Sequence, residues 1–430
     1  MFMSGAIINF RSIHVRVLLY WLVLTVAAVA DRYVSLQGTN DAAGQYTTWS
    51  GAATNIKWAV DFAANGETVW VSNGTYYLTN HIVLANSIVL KSFSGIYTNT
   101  IINGNWPGTT NRCFYLNNTG AVVEGFTITN GCAPTNNEHG GGVYINAGTL
   151  RNCLVTGNQV TNSGNGGGVY ATGASSLITN CDLIANCVYA AGGGAFIKTK
   201  AQMSDCRVMY NYQSRDFASS GGFVGGGVCV SEVGTLLCNS MIISNRAPNG
   251  NYTSGGGVQL YYGSKVRNCL IMGNYAWAGG GAALGLSSTN VIENCTIVSN
   301  RATYGGSIHI NFTATQLGHI LNTICYSNYS GIANSEFYLV GGPIVFSNCW
   351  MPTTSGITGA GNVTNKPILF VDFTGQNYRL TVNSPCVNRG LNQDWMNNAL
   401  DLEGRKRLRY GTVDIGAYEF INDGTIYRFR

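Results

Sequence analysis

Between residues 140 and 350 the apolar positions fall in short β-branched runs, separated by Asn, Gly, Ser and Thr, and the pattern repeats. "LRNCLVTGN" (150–158), "ITNCDLIAN" (178–186), "VRNCLIMGN" (266–274) and "IENCTIVSN" (292–300) are copies of one segment. Aligning the copies gives a slot filled by Cys153, Cys181, Cys206, Ser240, Cys269, Cys295, Thr323 and Cys349, with a mean period of 28 residues. Asn, or Asp205 once, precedes the slot, and a second Asn column follows it by five residues, from Asn158 to Asn328. A glycine triplet, or Gly-Gly-Ser once, opens each unit ahead of another apolar run, as in "GGGVYI" (140–145) and "GGGVQL" (255–260).

Runs this short, bounded by turn formers, are strands. Three per unit at a fixed period, with no helical stretch between them, predict an all-β parallel β-helix. One unit cannot bury its apolar face alone, whereas stacked units share a continuous core. Less regular runs from Glu67 onward extend the count to about ten rungs, about 48 Å of stacked strand. Identical side chains then lie about 4.8 Å apart in neighbouring rungs, so a column of Asn pairs its amides along the stack. A column of Cys fills a narrow interior corner as a compact apolar residue, and Ser240 and Thr323 there fit a requirement for volume. Stacked thiols point the same way, too far apart for relaxed disulfides, so the column reads as free. Ahead of the stack, Ile56, Ala59, Val60 and Ala63 have helical spacing. That helix would cover the open first rung, where an unpaired edge invites aggregation.

Composition narrows the class. Only 10% of the 430 residues are charged and 45% are apolar, ample for a core. Arg11 and Arg16 precede the apolar run 17–30, which closes on Ala28-Val29-Ala30, the layout of a secretory signal peptide over 1–30. Its removal leaves 22 basic against 19 acidic residues, a net charge of +3 that carries no nucleic-acid signature. No later run is long and apolar enough to span a bilayer. The predicted organisation is signal peptide (1–30), β-helix with its N-terminal cap (31–350) and a loop-rich C-terminal cap (351–430). On the strand after the Cys slot the outward residues Ile184, Met209, Ile243, Met272, Val298 and Tyr326 are apolar. A strand apolar on both faces is covered on both, so residues 351–420 are expected to pack back along it.

"GETVWVSNGTYYL", "NTIING" and "GFTITNG" resemble the N-terminal rungs of secreted right-handed β-helix proteins of the pectin-lyase-like superfamily. The repeat is similar to that of polymorphic outer-membrane proteins, with GG[GS][VAI] as the glycine mark and aliphatic-x-x-Asn as the second. "YRLTVNSPCVNRG" (378–390) and "DLEGRKRLRYGTVDIGAYEF" (401–420) resemble the choice-of-anchor Q domain of bacterial surface proteins. These resemblances imply a right-handed coil, export, and an extracellular or envelope-surface location.

Enzymes on such a coil need clustered carboxylates, calcium, or a basic residue beside substrate carboxylates. Between 132 and 350 the acids are Glu138, Asp182, Asp205, Asp216, Glu232, Glu293 and Glu336. Only Asp182 and Asp205 approach adjacent rungs, and Asp182 is expected to pair with Arg207. No catalytic set, metal set or cofactor motif emerges. Aromatic residues are more suggestive. Tyr144, Tyr170 and Phe196 point outward on successive rungs, and loops feeding the triplets carry Tyr212, Arg215, Asp216, Phe217, Tyr252 and Trp277. Stacked at one corner these would form a ridge suited to sugar rings, or one that only stabilises exposed rungs. The leading expectation is a monomer that binds a polysaccharide or cell-surface glycan without catalysis. A diverged polysaccharide lyase or hydrolase, and a structural spacer without ligand, are the alternatives.

Overall fold

A computed structural model describes residues 30–135, 137–214, 224–247, 254–285, 289–312, 318–332, 336–341, 344–353, 357–364 and 366–421. The chain winds as a right-handed parallel β-helix. One turn consists of Val169–Thr172, Ser176–Thr179, Asp182–Ile184 and Cys187–Val188. The first two belong to a bent sheet of 20 strands, the third to a sheet of ten, and the last to a sheet of seven. The ten-stranded sheet matches the rung count expected from the period. Pairing between turns is parallel and in register: Leu154, Asp182, Arg207, Met241, Leu270, Thr296 and Ile324 lie in one column. The interior is a continuous aliphatic stack in which Val155, Leu183, Val208, Ile242, Ile271 and Ile297 are fully buried. The helix Ile56–Phe62 is capped by Asn55 and buries Ile56, Ala59 and Val60 against the first turns.

The two Asn columns differ in what they supply. Residues 152, 180, 205, 239, 268, 294, 322 and 348 all have φ between +46° and +56°. Asn and Asp tolerate that left-handed backbone best after Gly, so this column marks a corner. The second column faces inward and is buried. Each Asn from 158 to 300 donates Nδ2–H to the next Oδ1 at 2.8–3.1 Å. The same Oδ1 accepts the preceding Asn's backbone N–H, as Asn186 does from Asn158 at 3.1 Å. The second amide hydrogen goes to a carbonyl of the turn before, as from Asn186 to Val155 at 2.9 Å. The backbone N–H and one amide hydrogen of each Asn therefore find an acceptor one turn on, and the other amide hydrogen one turn back, until Asn328. There the Glu336 carboxylate accepts its backbone N–H at 3.1 Å and its Nδ2–H at 2.7 Å. Burial pushes the Glu336 carboxyl up to about 7.

The Cys slot needs more than volume. Cys153, Cys181, Cys206, Cys269, Cys295 and Cys349 each donate S–H to the carbonyl two residues back at 3.0–3.3 Å. Ser240 and Thr323 make the same bond with hydroxyls at 2.7 and 2.8 Å. Each slot residue is thus small and buried, as its size implied, and donates a hydrogen bond as well. All thirteen cysteines are free. The triplets also divide their labour. Gly140 and Gly166 have φ of 69° and 71°, whereas a Cβ on Gly141 would sit 2.3 Å from the Gln159 and Gly167 carbonyls. One glycine supplies the turn, and the others let turns approach.

The C-terminal segment lies along the ten-stranded sheet. Tyr378, Ala417 and Tyr418 pack on Leu270, Met272 and Val298, with Ile243 and Tyr326 at the margin. Left-handed Asn residues hold its backbone: Asn268 donates to Leu400 O at 3.0 Å, Asn322 to Leu391 O at 2.9 Å and Asn348 to Arg389 O at 2.9 Å. Arg407, fully buried, bonds Gly416 O, Glu419 and Asn268. Asp401 accepts the backbone N–H groups of Glu403, Arg405 and Glu419. "DLEGRKR" is thus an internal clamp. Ile184 and Met209, earlier on the same face, stay half-buried and outside this contact.

Candidate functional site

The strand after each triplet turns alternate side chains outward, and its register stacks Tyr115, Tyr144, Tyr170, Phe196, Cys229, Gln259, Ala283, His309 and Tyr338. Ring centroids from Tyr115 to Phe196 are 5.0–5.4 Å apart. Cys229, Gln259 and Ala283 break the column. Tyr170 is only 4% exposed, because Phe196 stacks on one side and His139 lies over it at 4.3 Å and 12°. Its ring is committed to the rungs.

The open end of the column forms a cleft of about 550 Å³ lined by His81, Arg112, Tyr115, Glu138, His139 and Tyr144. The sequence places Arg112 there for a structural reason. This rung has Asn111-Arg112-Cys113 where the next has Gly140-Gly141-Gly142, and Phe114 pairs with Val143. A side chain is therefore admitted where later rungs exclude one. The Arg112 guanidinium lies 5.5 Å over the Tyr144 ring and pairs with Glu138. Its Nε is buried without a partner. Burial, reinforced by the Arg112 charge, lowers both His81 and His139 below the usual imidazole range. The cleft thus offers two aromatic faces, the Arg112–Glu138 pair and two neutral imidazoles, of which His139 already accepts the Asn165 N–H on Nδ1 at 3.0 Å and is left to donate. Among the described residues no three His, Cys, Asp or Glu side chains converge as a metal site.

The remaining expected residues do not join one ridge. Tyr212 lies on the seven-stranded sheet, exposed. Trp277 packs on Tyr304 at 4.7 Å, and Tyr304 on Tyr338 at 4.7 Å, a second aromatic group beyond the break. Arg215, Asp216, Phe217 and Tyr252 lie outside the described residues. Arg112 and Tyr115 escaped the repeat alignment because their rung lacks the triplet, although Tyr115 stands one rung before Tyr144. Asp182 does pair with Arg207, Nε to Oδ1 at 2.7 Å, and also accepts from Tyr97 Oη at 3.2 Å.

No protein-family model and no curated protein matches the sequence. Two solved structures share its course. The pectate lyase Pel9A superposes with a TM-score of 0.58 and 14% identity, over 92% of this chain and 98% of that one. XylC, solved in complex with xylose, gives 0.51 and 10%, over 91% and 98%. The likeness is one of fold. Both structures share the course of the coil described above.

Proposed function

We propose that this is an exported, monomeric β-helix that binds a polysaccharide or surface glycan without cleaving it, at the Arg112–Tyr115–Tyr144 cleft. The observation that carries the reading is the buried guanidinium laid over an aromatic floor, with hydrogen-bonding imidazoles beside it. Aromatic faces with a few fixed polar groups suit sugar rings. Export rests on the signal-like 1–30, and surface display on the resemblance of 378–420 to a choice-of-anchor Q domain and of the repeat to polymorphic outer-membrane proteins. The groove holding Tyr97, Asp182, Asp205 and Arg207 contains the acids a lyase or hydrolase would use. Yet Asp182 is already bound by Arg207 and Tyr97, which favours binding over catalysis.

The test is a polysaccharide panel read for binding and for released sugar together. Binding weakened about tenfold or more by Tyr144→Ala and Tyr115→Ala, with no unsaturated or reducing ends formed, is the expected result. Product release would replace the reading with the enzymatic one, and silence in both assays with a structural spacer.

A further inference from the structure

The seven-stranded sheet carries a second outward column that the proposed cleft does not use. Its register stacks Gln159, Cys187, Tyr212, Arg246, Tyr275, Arg301 and Tyr329. From Tyr212 onward tyrosine and arginine alternate turn by turn. Tyr212 and Tyr329 are 45% and 51% exposed, and both arginines are exposed. Arg246 lies 5.8 Å over the Tyr275 ring and Arg301 5.4 Å over Tyr329. Among the described residues neither guanidinium has an acidic partner. The intervening positions Gln213, Ala247, Ala276, Ala302 and Ser330 are buried, so the strands hold the column rigidly. Trp277 stands two residues beyond Tyr275 on the same face and widens the aromatic surface. Ser299 and Ser327 line a shallow cleft beside Arg301 and Tyr329.

We propose that this strip binds a linear polysaccharide carrying one anionic group on every second sugar. Guanidinium forks recognise carboxylates and sulfates through paired hydrogen bonds. The arginines stand two turns apart, about 10 Å, which is the length of two extended pyranose rings. The tyrosine between them, Tyr275, has its ring face under Arg246 and meets the uncharged sugar with its ring edge and hydroxyl. A saccharide lying along the coil axis therefore presents its charges in step with the arginines. A chain charged at every unit places half its anions over tyrosine, where no cation waits. Single-stranded nucleic acid also joins stacking to charge, but it too bears a charge at every unit.

Calorimetric titration of the whole protein with a hyaluronate octasaccharide, which has one carboxylate per disaccharide, tests this. The wild type is expected to bind it, more weakly as salt rises, and not to bind the carboxyl-reduced octasaccharide. R246Q/R301Q, two exposed changes, is expected to weaken binding about tenfold or more with the circular dichroism unchanged. Lys265→Gln, an exposed charge change on the 20-stranded sheet, is expected to bind hyaluronate as the wild type does. The proposal falls if the octasaccharide gives no binding, if R246Q/R301Q leaves affinity unchanged, or if the carboxyl-reduced sugar binds equally. Equal affinity for a polygalacturonate octamer overturns the alternation, and tighter binding of oligothymidylate overturns the ligand class.

Discussion

Asn180 and Asn186 stand six residues apart in one turn, and the fold uses them for opposite reasons. Asn180 is exposed with φ of 50°, and its amide reaches Asn152 Oδ1 at 2.5 Å on the surface. Asn186 is fully buried, and its Oδ1 accepts two N–H groups of Asn158 while its amide serves Val155 and Asn211. At one corner the chain selects a backbone shape and at the other a side chain. Periodicity marks both equally, and the backbone tells them apart: the whole first column has positive φ, whereas Asn268, Asn294 and Asn322 in it are as fully buried as Asn186.

The largest expected effect separates the two. Asn186→Ala strands the backbone and side-chain N–H groups of Asn158 in the interior, at about 1–3 kcal/mol each. A loss of roughly 3 kcal/mol in denaturant unfolding is expected, and a loss under about 1 kcal/mol would show that the ladder is not continuous. The ladder's end sharpens the comparison through pH. Burial raises Glu336 to about 7, so the folded state holds that proton more firmly than the unfolded chain. The stability this adds is fully present below about pH 4.5 and is lost as pH rises through about 7, by up to about 3 kcal/mol. Glu336→Gln is expected to flatten the pH–stability curve in that window, and an unchanged slope would assign it to other groups. At the surface corner the cost is smaller. Asn180→Ala is expected to lose about 1 kcal/mol, because Ala lacks the short polar side chain whose local hydrogen bonding lets Asn tolerate left-handed backbone. The smallest effect belongs to the slot between the columns. Cys181→Ser keeps the donor to Thr179 O and is expected to cost less than about 1.5 kcal/mol, as Ser240 does the same work two turns on.

The coil was legible because its turns are chemically redundant: a missed rung is restored by the next. Left-handed corners were half legible. Asn and Asp announce the first, whereas the second is occupied by Gly157, Ala185, Tyr210, Ser244 and Ser299, whose variety hides a common backbone. The outward columns were harder to read. Successive ladder residues are separated by 25 to 34 positions, so insertions blur which aromatics share a face. Tyr212 and Trp277 were expected on one ridge and lie on the seven-stranded sheet, apart from Tyr144. Arg112 stood outside any repeat, and its position above Tyr144 arises from the loss of a glycine. The Tyr–Arg alternation sits one residue after each ladder Asn, yet no two neighbours are alike, so no column of identical residues signals it.

A pair of glycine variants tests the stacked-column account most directly. Glycine removes the side chain while permitting positive φ, so Asn180→Gly keeps what its corner requires and Asn186→Gly does not. Chemical unfolding of both is expected to leave the first within about 1 kcal/mol of the wild type and to destabilise the second by roughly 3 kcal/mol. Equal losses in the two variants would contradict the assignment of one column to backbone geometry and the other to a buried amide row.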